Sequence, residues 1–436
     1  MLKNYFLIAW RHLIKNKGYT AINLAGLAIG MAITLLIGVW IADELAFDHY
    51  HSNHRRIGQV LLQQARKGEP HYTGPAIAPV TGPTLDAVCS DLFPRTAMSI
   101  NWGTHLVNYG DKQLARNVYY AQHTLPELFT FKMLAGTAGS LQDPSTALLS
   151  HSTAVALFGN DNPVNKVFKY ENHLEMKVGG VYEDLPSNST FHDAEILMPA
   201  NSTEMSWFNH GTNWTDHGVQ LYVQMADGVT MEQATARIRN LPTAHVDDWL
   251  EELMVYPLDK MHLHGEFVNG VASGGRIQYV VLFGLIGGFV LLLACINFMN
   301  LSTAKSEQRA KEVGIRKSVG SLRGQLIGQF LGESVLMALL SFGLALILAW
   351  VSMRGFNSLA GKELTLPFAS PIFWTMAMGF TLLTGILAGS YPAFYLSGFD
   401  AVKVLKGSFR MGRYAGMPRK ILVVLQFSVS LTLIIA

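Results

Sequence analysis

Cysteine and charge are both scarce in this 436-residue chain. Its two cysteines, Cys89 and Cys295, sit in an acidic region and in an apolar run respectively. A disulfide framework is excluded, and any exported part must fold on its core alone. Charged residues make up 15% of the chain against 50% hydrophobic, which points away from a wholly soluble protein and toward the membrane class. Catalytic signatures are missing as well. No G-x-S-x-G elbow accompanies the abundant Ser, His and Asp. The one Gly-Lys pair, Gly361-Lys362, is followed by Glu363 and lacks the glycine five positions earlier that a phosphate-binding loop requires. The length exceeds what one compact core organises, so two or more folding units are expected.

The formal net charge of +2 conceals two electrically distinct objects. From Asp43 to Arg276 there are 15 Lys/Arg against 26 Asp/Glu, a balance of −11, while the rest of the chain holds 18 against 5, or +13. Basic residues flanking apolar segments mark the cytoplasmic side of a membrane. The basic part therefore reads as membrane and cytoplasm and the acidic part as exported. No nucleic-acid partner is called for.

A bilayer core needs a helix of roughly 20 apolar residues, and four complete runs qualify: 21–42, 277–302, 334–353 and 371–392. A fifth, 421–436, opens in the same way behind a basic flank and reads as the start of a further span, as though a second unit were interrupted. Lys3, Arg11, Lys15 and Lys17 precede the first run without an acid among them, which places segment 1–20 in the cytoplasm. The segments 303–329 and 398–420 are strongly basic and belong on the same side. The first run is longer than a signal-peptide core and is read as a retained anchor.

The stretch 43–276 has a different texture. Arg55 to Gln63, Leu174 to Asp184 and Val219 to Ala226 are β-rich or alternating runs. In TMEQATARIRNLPT, Thr230 is placed as an N-cap with Gln233 three residues on, and Pro242 acts as a stop. An α+β domain inserted between spans 1 and 2 follows. Fourteen of the fifteen histidines lie in it, with His49, His51 and His54 just beyond the first span. Their spacing fits no zinc pattern, and they are read as surface or packing residues. His262 and His264, at strand period, would share one sheet face. Trp102, Trp207, Trp214 and Trp249 are read as packing residues before groove-lining ones.

The segment from Asn297 to Ser334 carries the most information. Glu307 to Lys311 and Glu312 to Arg316 are acid-to-base pairs at helical spacing, and Gly314, Gly320 and Gly324 interrupt the helix, predicting a bent helix on a surface. The residues alone allow either a solvated basic loop or a docking element for a soluble partner. The run N-x-x-N-L-S (Asn297, Asn300, Leu301, Ser302), then R-A-K-E-V-G-I-R-K-S-V-G (Arg309 to Gly320) and Q-F-L-G-E-S (Gln329 to Ser334), resembles the signature of MacB/FtsX-type ABC transporter permeases. GILAGSYPAFYLSGF (Gly385 to Phe399) resembles the end of that family's fourth helix, where Pro392 would kink or end the span. ELAFDHYHSNHRRIGQV, LLSHSTAVALFGNDNPVNKVF and VGGVYEDLPSNSTFH resemble its MacB-like periplasmic core domain.

The resemblance implies a membrane α-helical bundle of four complete spans plus an incomplete fifth, with the large α+β domain, 43–276, between spans 1 and 2. It implies an inner-membrane, multi-pass permease that binds no cofactor itself and whose energy comes from ATP on a partner ABC ATPase subunit. By matching position, Arg309, Glu312, Gly314, Arg316, Lys317 and Gly320 would form the ATPase contact. Further partners implied are a second permease half or a homodimer, a periplasmic or outer-membrane component, and membrane lipids. The family also contains FtsX-like scaffolds that activate a periplasmic partner without moving a solute, and both behaviours stay open here. No catalytic or metal-binding residue is assigned.

Overall fold

The computed structural model describes residues 11, 13–15, 17–65, 71–205, 207–208, 211–246, 249–304, 313–398 and 417–435. They fall into two compact units, Asp43–Gln278 on one hand and Met1–Ala42 with Tyr279–Ala436 on the other. The chain opens with α1 (Lys17–Leu45). The elements that follow are β1 (Ile57–Ala65), β2 (Tyr72–Gly74), α2 (Thr81–Val88), β3 (Arg95–Tyr109), β4 (Lys112–Ala121) and α3 (Leu125–Leu128). Next come β5 (Met133–Gly136), β6 (Thr146–Ser150), α4 (His151–Phe158), β7 (Val167–Tyr170), β8 (Leu174–Tyr182) and β9 (Ile196–Pro199). The unit closes with β10 (Gln220–Gln224), α5 (Met231–Ile238), β11 (Leu250–Pro257), α6 (Leu258–His264), β12 (Glu266–Val268) and β13 (Val271–Gly274).

Strands β11, β1, β10 and β3 lie side by side in that order and all pair antiparallel. With α2 between β1 and β3 and α5 between β10 and β11, they make a split β-α-β-β-α-β unit. Strands β4 to β9 are inserted between β3 and β10 and continue the same sheet beyond β3, with β4 parallel to β9 and β6 parallel to β8. Strand β3 serves both parts. It bulges between Asn101 and Gly103, where Gly103 takes φ +91 and leaves Trp102 on the surface.

The sheet is buried on both faces, and strand periodicity assigns the residues. On β10, Leu221 and Val223 enter one core with Val60, Leu62, Met98 and Ile238, while Tyr222 enters the other with Ile57, Ala97, Phe129 and Phe191. In the second core Phe129, Phe191 and Tyr222 meet edge to face, with centroids 4.6 to 5.5 Å apart. Helix α5 starts where its sequence says it should. Gln233 N donates to Thr230 Oγ1 and Thr230 N to Gln233 Oε1, a reciprocal cap that leaves Ala234 and Ile238 facing the sheet. His262 and His264 lie on α6, a helix, and the shared strand face expected for them does not exist. Leu258 and Leu263 are the buried residues of that helix, so helical spacing decides the matter there.

The membrane unit contains α1, α7 (Ile277–Ala304), α8 (residues 313–318), α9 (Arg323–Ala360), α10 (Pro371–Ser397) and α11 (Met417–Ile435). Among the described residues, α1, α7, α9 and α10 are long and apolar enough to cross a membrane. Glycines set the closest helix approaches. A Cβ on Gly30 of α1 would lie 2.5 Å from Ala294 Cβ of α7, and one on Gly389 of α10 would lie 2.6 Å from Ser334 Cβ of α9. Gly26 and Gly30, and likewise Gly385 and Gly389, are small residues four apart on one helix face, the spacing that lets backbones approach in lipid. Thr34 Oγ1 adds a hydrogen bond to the Gly287 carbonyl at 3.1 Å. Layers such as Leu27, Cys295, Met337 and Ala388, then Met31, Phe342 and Ala377, fill the space among the four helices.

One sequence expectation narrows here and another changes. Of the kink or end expected at Pro392, the end does not occur, since α10 runs on to Ser397 with the proline inside it. Of the three glycines expected to interrupt the segment after α7, only Gly320 does so. Gly314 is buried within α8 and Gly324 lies in the first turn of α9, so the local break falls where the backbone turns left-handed.

Candidate functional site

The site is built where helix α8 ends. Helix α8 closes with a Schellman cap: Ser321 N donates to the Arg316 carbonyl and Gly320 N to the Lys317 carbonyl, each at 3.0 Å, with Gly320 at φ +99. A residue with a Cβ would strain that position. Two residues later α9 begins, and Gln325 Oε1 accepts from Leu322 N at 3.2 Å to cover an open backbone donor. The chain is thus forced into a tight elbow, residues 319–322, between two helices.

One side of the elbow is anchored. Val313 is buried with Leu326 and Phe330 of α9 and Ala393 and Leu396 of α10. Arg316 Nη1 donates to Gln329 Oε1, Gln329 Nε2 donates to Glu333 Oε1 at 3.2 Å, and Arg323 Nε reaches Ser397 Oγ at 3.5 Å. The opposite side is open and apolar. Ile315, Val319 and Leu322 are 55%, 83% and 68% exposed. Ile315 lies on α8, and Val319 and Leu322 bound the elbow. Exposed apolar side chains gathered beside half-buried Arg316 and Lys317 are a surface suited to capping by a protein partner.

Of the six residues assigned to the contact from sequence, Arg309 and Glu312 lie outside the described residues. The other four are in place in different ways. Gly320 shapes the elbow, Gly314 is buried, and Arg316 faces α9 as well as the surface. Lys317 is half-buried beside it and supplies the carbonyl that Gly320 caps. Sequence reasoning missed Ile315, Val319 and Leu322, whose shared exposure depends on the elbow and on the way α8 faces. It also missed the pairing of Arg316 with Gln329, which depends on the elbow and has no sequence signature.

The histidines of the Asp43–Gln278 unit are placed individually. His51 is enclosed, with Nε2 3.0 Å from Ser189 Oγ and its ring against the edge of Phe129. Burial drives its pKa down to about 4. Asp48 beside it accepts from Thr190 N and Oγ1 at 2.7 and 2.6 Å, yet burial outweighs these bonds and its pKa is raised. His49 and His54 pack on each other with ring centroids 4.5 Å apart. Among the described residues no three His, Cys, Asp or Glu side chains converge as a metal would require. The four tryptophans each have their own surroundings: Trp102 meets Tyr120, Trp207 meets Phe208, Trp214 stacks on His245, and Trp249 Nε1 donates to Glu251 Oε1.

Comparison with known proteins bears on both units. Residues 20–241 match the family model described as MacB-like periplasmic core domain, and residues 284–401 match that of the FtsX-like permease C-terminal. The pyoverdine export ATP-binding/permease protein PvdT of Pseudomonas syringae pv. syringae is 25% identical over 91% of this chain and 58% of its own length. The ABC transporter permease YknZ of Bacillus subtilis is 26% identical over 59% of this chain and 61% of its own. The chain spans a little over half the length of these curated relatives. A solved domain of a permease protein from Porphyromonas gingivalis aligns with 53% of this chain and 98% of that domain, at 19% identity and a TM-score of 0.42.

Proposed function

This chain belongs to the MacB/FtsX-type family of ABC transporter permeases, and from that premise we propose that it is the membrane subunit on which a separate ATPase acts to move the extracytoplasmic domain. The work done is export, or mobilisation outside the membrane, of a substrate that the residues do not specify. The family implies an ATPase that powers the permease, and the Gly361-Lys362 pair within these residues lacks the surroundings of a phosphate-binding loop. Charge supports the orientation. The basic flanks of α1 and of the segments after α7 and α10 belong in the cytoplasm, and the acidic Asp43–Gln278 unit belongs outside.

The observation that carries the reading is the elbow. A Schellman-capped helix presents Ile315, Val319 and Leu322 outward while Val313 and Arg316 fix it to α9 and α10. Such a knob, rigid on its inner side and apolar on its outer side, fits a groove on a soluble subunit and passes force inward. The test is co-purification in detergent with the ATPase encoded beside this chain, comparing wild type with Val319→Asp and Arg316→Glu. Retention by wild type, and a loss of about tenfold or more in the Val319→Asp variant, is the expected result, since a charge buried in an apolar contact costs a few kcal/mol. Equal retention by all three proteins would remove the elbow from the contact.

A further inference from the structure

Two histidines where β3 meets the inserted strands have an oxygen at each ring nitrogen. His173, in the turn between β7 and β8, places Nδ1 2.9 Å from the Glu171 carbonyl and Nε2 2.9 Å from Glu204 Oε1. His105, on β3, places Nδ1 3.0 Å from Glu171 Oε1 and Nε2 3.1 Å from the Trp102 carbonyl. Carbonyl and carboxylate oxygens only accept, and a neutral imidazole carries a single N–H. Each ring therefore makes both of its bonds only as the doubly protonated cation. Loss of that proton leaves one bond and sets a bare nitrogen against an oxygen lone pair.

The turn that joins the two rings has an uncommon backbone. Glu171 and Asn172 take φ +49 and +62, a left-handed region rarely occupied by residues with a Cβ. Glu171 N donates to the Leu106 carbonyl and Leu106 N to Glu171 Oε1, each at 2.9 Å. Both oxygens of Glu204 are also in use, since Tyr120 Oη donates to Oε2 at 3.0 Å. The titratable groups that touch the rings or their partners are thus Glu171 in the turn, Glu204 in the short helix Thr203–Met205, Tyr120 on β4 and Tyr170 on β7. Arg116, opposite His105 on β4, is paired with Glu195 at 3.4 Å. Bonds to Glu171 and Glu204 raise the pKa of His173, bonds from Leu106 and His105 hold the Glu171 carboxyl low, and burial keeps the Tyr120 and Tyr170 hydroxyls protonated.

We propose that His105 and His173 form a proton-operated latch: a proton taken up by each ring ties the turn 171–173 to the Trp102 bulge on one side and to the helix Thr203–Met205 on the other, and loss of those protons releases the turn. Nothing in this depends on the elbow. In a unit assigned to the outside of the membrane, the protons exchange with the surroundings of the cell, so the latch answers external acidity. The bonds of His173 are complete below the ordinary histidine value of 6.5 and are lost as pH rises through its raised folded value. The sign is opposite to that of enclosed His51, which is held neutral.

The test uses the full chain in lipid nanodiscs. Hydrogen exchange is followed by mass spectrometry at pH 6 and pH 8, with rates corrected for the intrinsic pH dependence of exchange, in peptides covering 170–174 and 202–205. Protection of both should be about fivefold greater at pH 6, the low end of a coupling effect, because the latch is partly exposed. His173→Gln, at a side chain 64% exposed, should abolish the change at 202–205. Adding His105→Gln should abolish it at 170–174 as well. Equal protection at the two pH values in wild type overturns the proposal, as does a change that survives in the double variant. A second measurement needs no folded double variant: the ring ¹³Cε1 signal of His173, recognised by its absence in His173→Gln, should titrate above 6.5 and move down in Glu204→Gln. Titration at or below 6.5 in wild type also overturns it.

Discussion

The carboxylate of Glu44 lies 2.6 Å from Nε2 of His262, and Phe47 stacks flat on the same imidazole with centroids 3.6 Å apart. Glu44 belongs to the last turn of α1 and is 1% exposed; His262 comes from α6, more than two hundred residues later. The contact therefore closes the Asp43–Gln278 unit on itself, tying the residues that open it to those that nearly end it. Truncation of one partner leaves the other's polar group buried without it. His262→Ala should destabilise the unit by about 3 kcal/mol, read from urea unfolding, and Glu44→Leu with His262→Leu should recover part of that loss. A His262→Ala protein as stable as wild type would show that the pair is idle.

Residues 43–278 expressed without the helices should fold alone and unfold in one cooperative transition, since two continuous cores flank their sheet. Coincident circular dichroism and tryptophan fluorescence curves are the check. A broad transition, or dye binding typical of loosely packed states, would place essential packing outside these limits.

Acid should weaken this unit through His51. Its folded pKa of about 4 lies below the ordinary 6.5, so the unfolded chain takes up the proton first as pH falls. The stability that depends on neutral His51 is complete above 6.5 and is lost between 6.5 and 4, amounting to about 3 kcal/mol. Asp48 works in the opposite sense. Its raised pKa means that acid relieves the penalty of burying its charge. The measurement is the difference in unfolding free energy between wild type and His51→Gln. It should be flat above pH 7.5 and decline steadily toward pH 4.

Thr230→Ala should cost about 1 kcal/mol, because it removes the acceptor for Gln233 N at the start of α5. Thr230→Ser keeps that oxygen and should stay near wild type in thermal denaturation. Equal loss in both variants would mean that the methyl group, and not the cap, matters.

Gly389→Leu should separate α10 from α9, because a Cβ alone already falls 2.6 Å from Ser334 Cβ. Overpacking of this kind costs about 1 to 3 kcal/mol, and the variant should lose its monodisperse gel-filtration peak at a lower temperature than wild type. Gly343→Leu, on α9 where no atom lies within 4 Å of an added Cβ, is the control.

Much of the fold class was legible because it rests on local patterns. The apolar runs that became α1, α7, α9 and α10 exceed any soluble-core length, and the Thr230, Gln233 and Pro242 spacing marked α5 correctly. The split strand order was not legible, since β3 and β10 are adjacent in space but separated by more than a hundred residues of inserted chain. His262 and His264 misled because a two-residue interval suits a strand, while burial of Leu258 and Leu263 selects a helix. Of the two outcomes open for Pro392, a kink or an end, the end is not realised, because a proline excludes one hydrogen bond without preventing α10 from continuing to Ser397. At the elbow, the motif resemblance singled out Gly320 and Arg316, which the structure places at the cap and against α9. The outward set of Ile315, Val319 and Leu322 required knowing which way α8 faces.

The pairing of Ser99 on β3 with Gln220 on β10 marks where the inserted strands leave and rejoin the split unit. Antiparallel partners lie about 5 Å apart at Cα, so well over a hundred residues depart from and return to nearly one point. A lobe attached in this way can change its length, outline or chemistry over evolutionary time without altering the strands beneath it. Exchanges, insertions or deletions confined to the lobe leave the pairing of β11, β1, β10 and β3 in place.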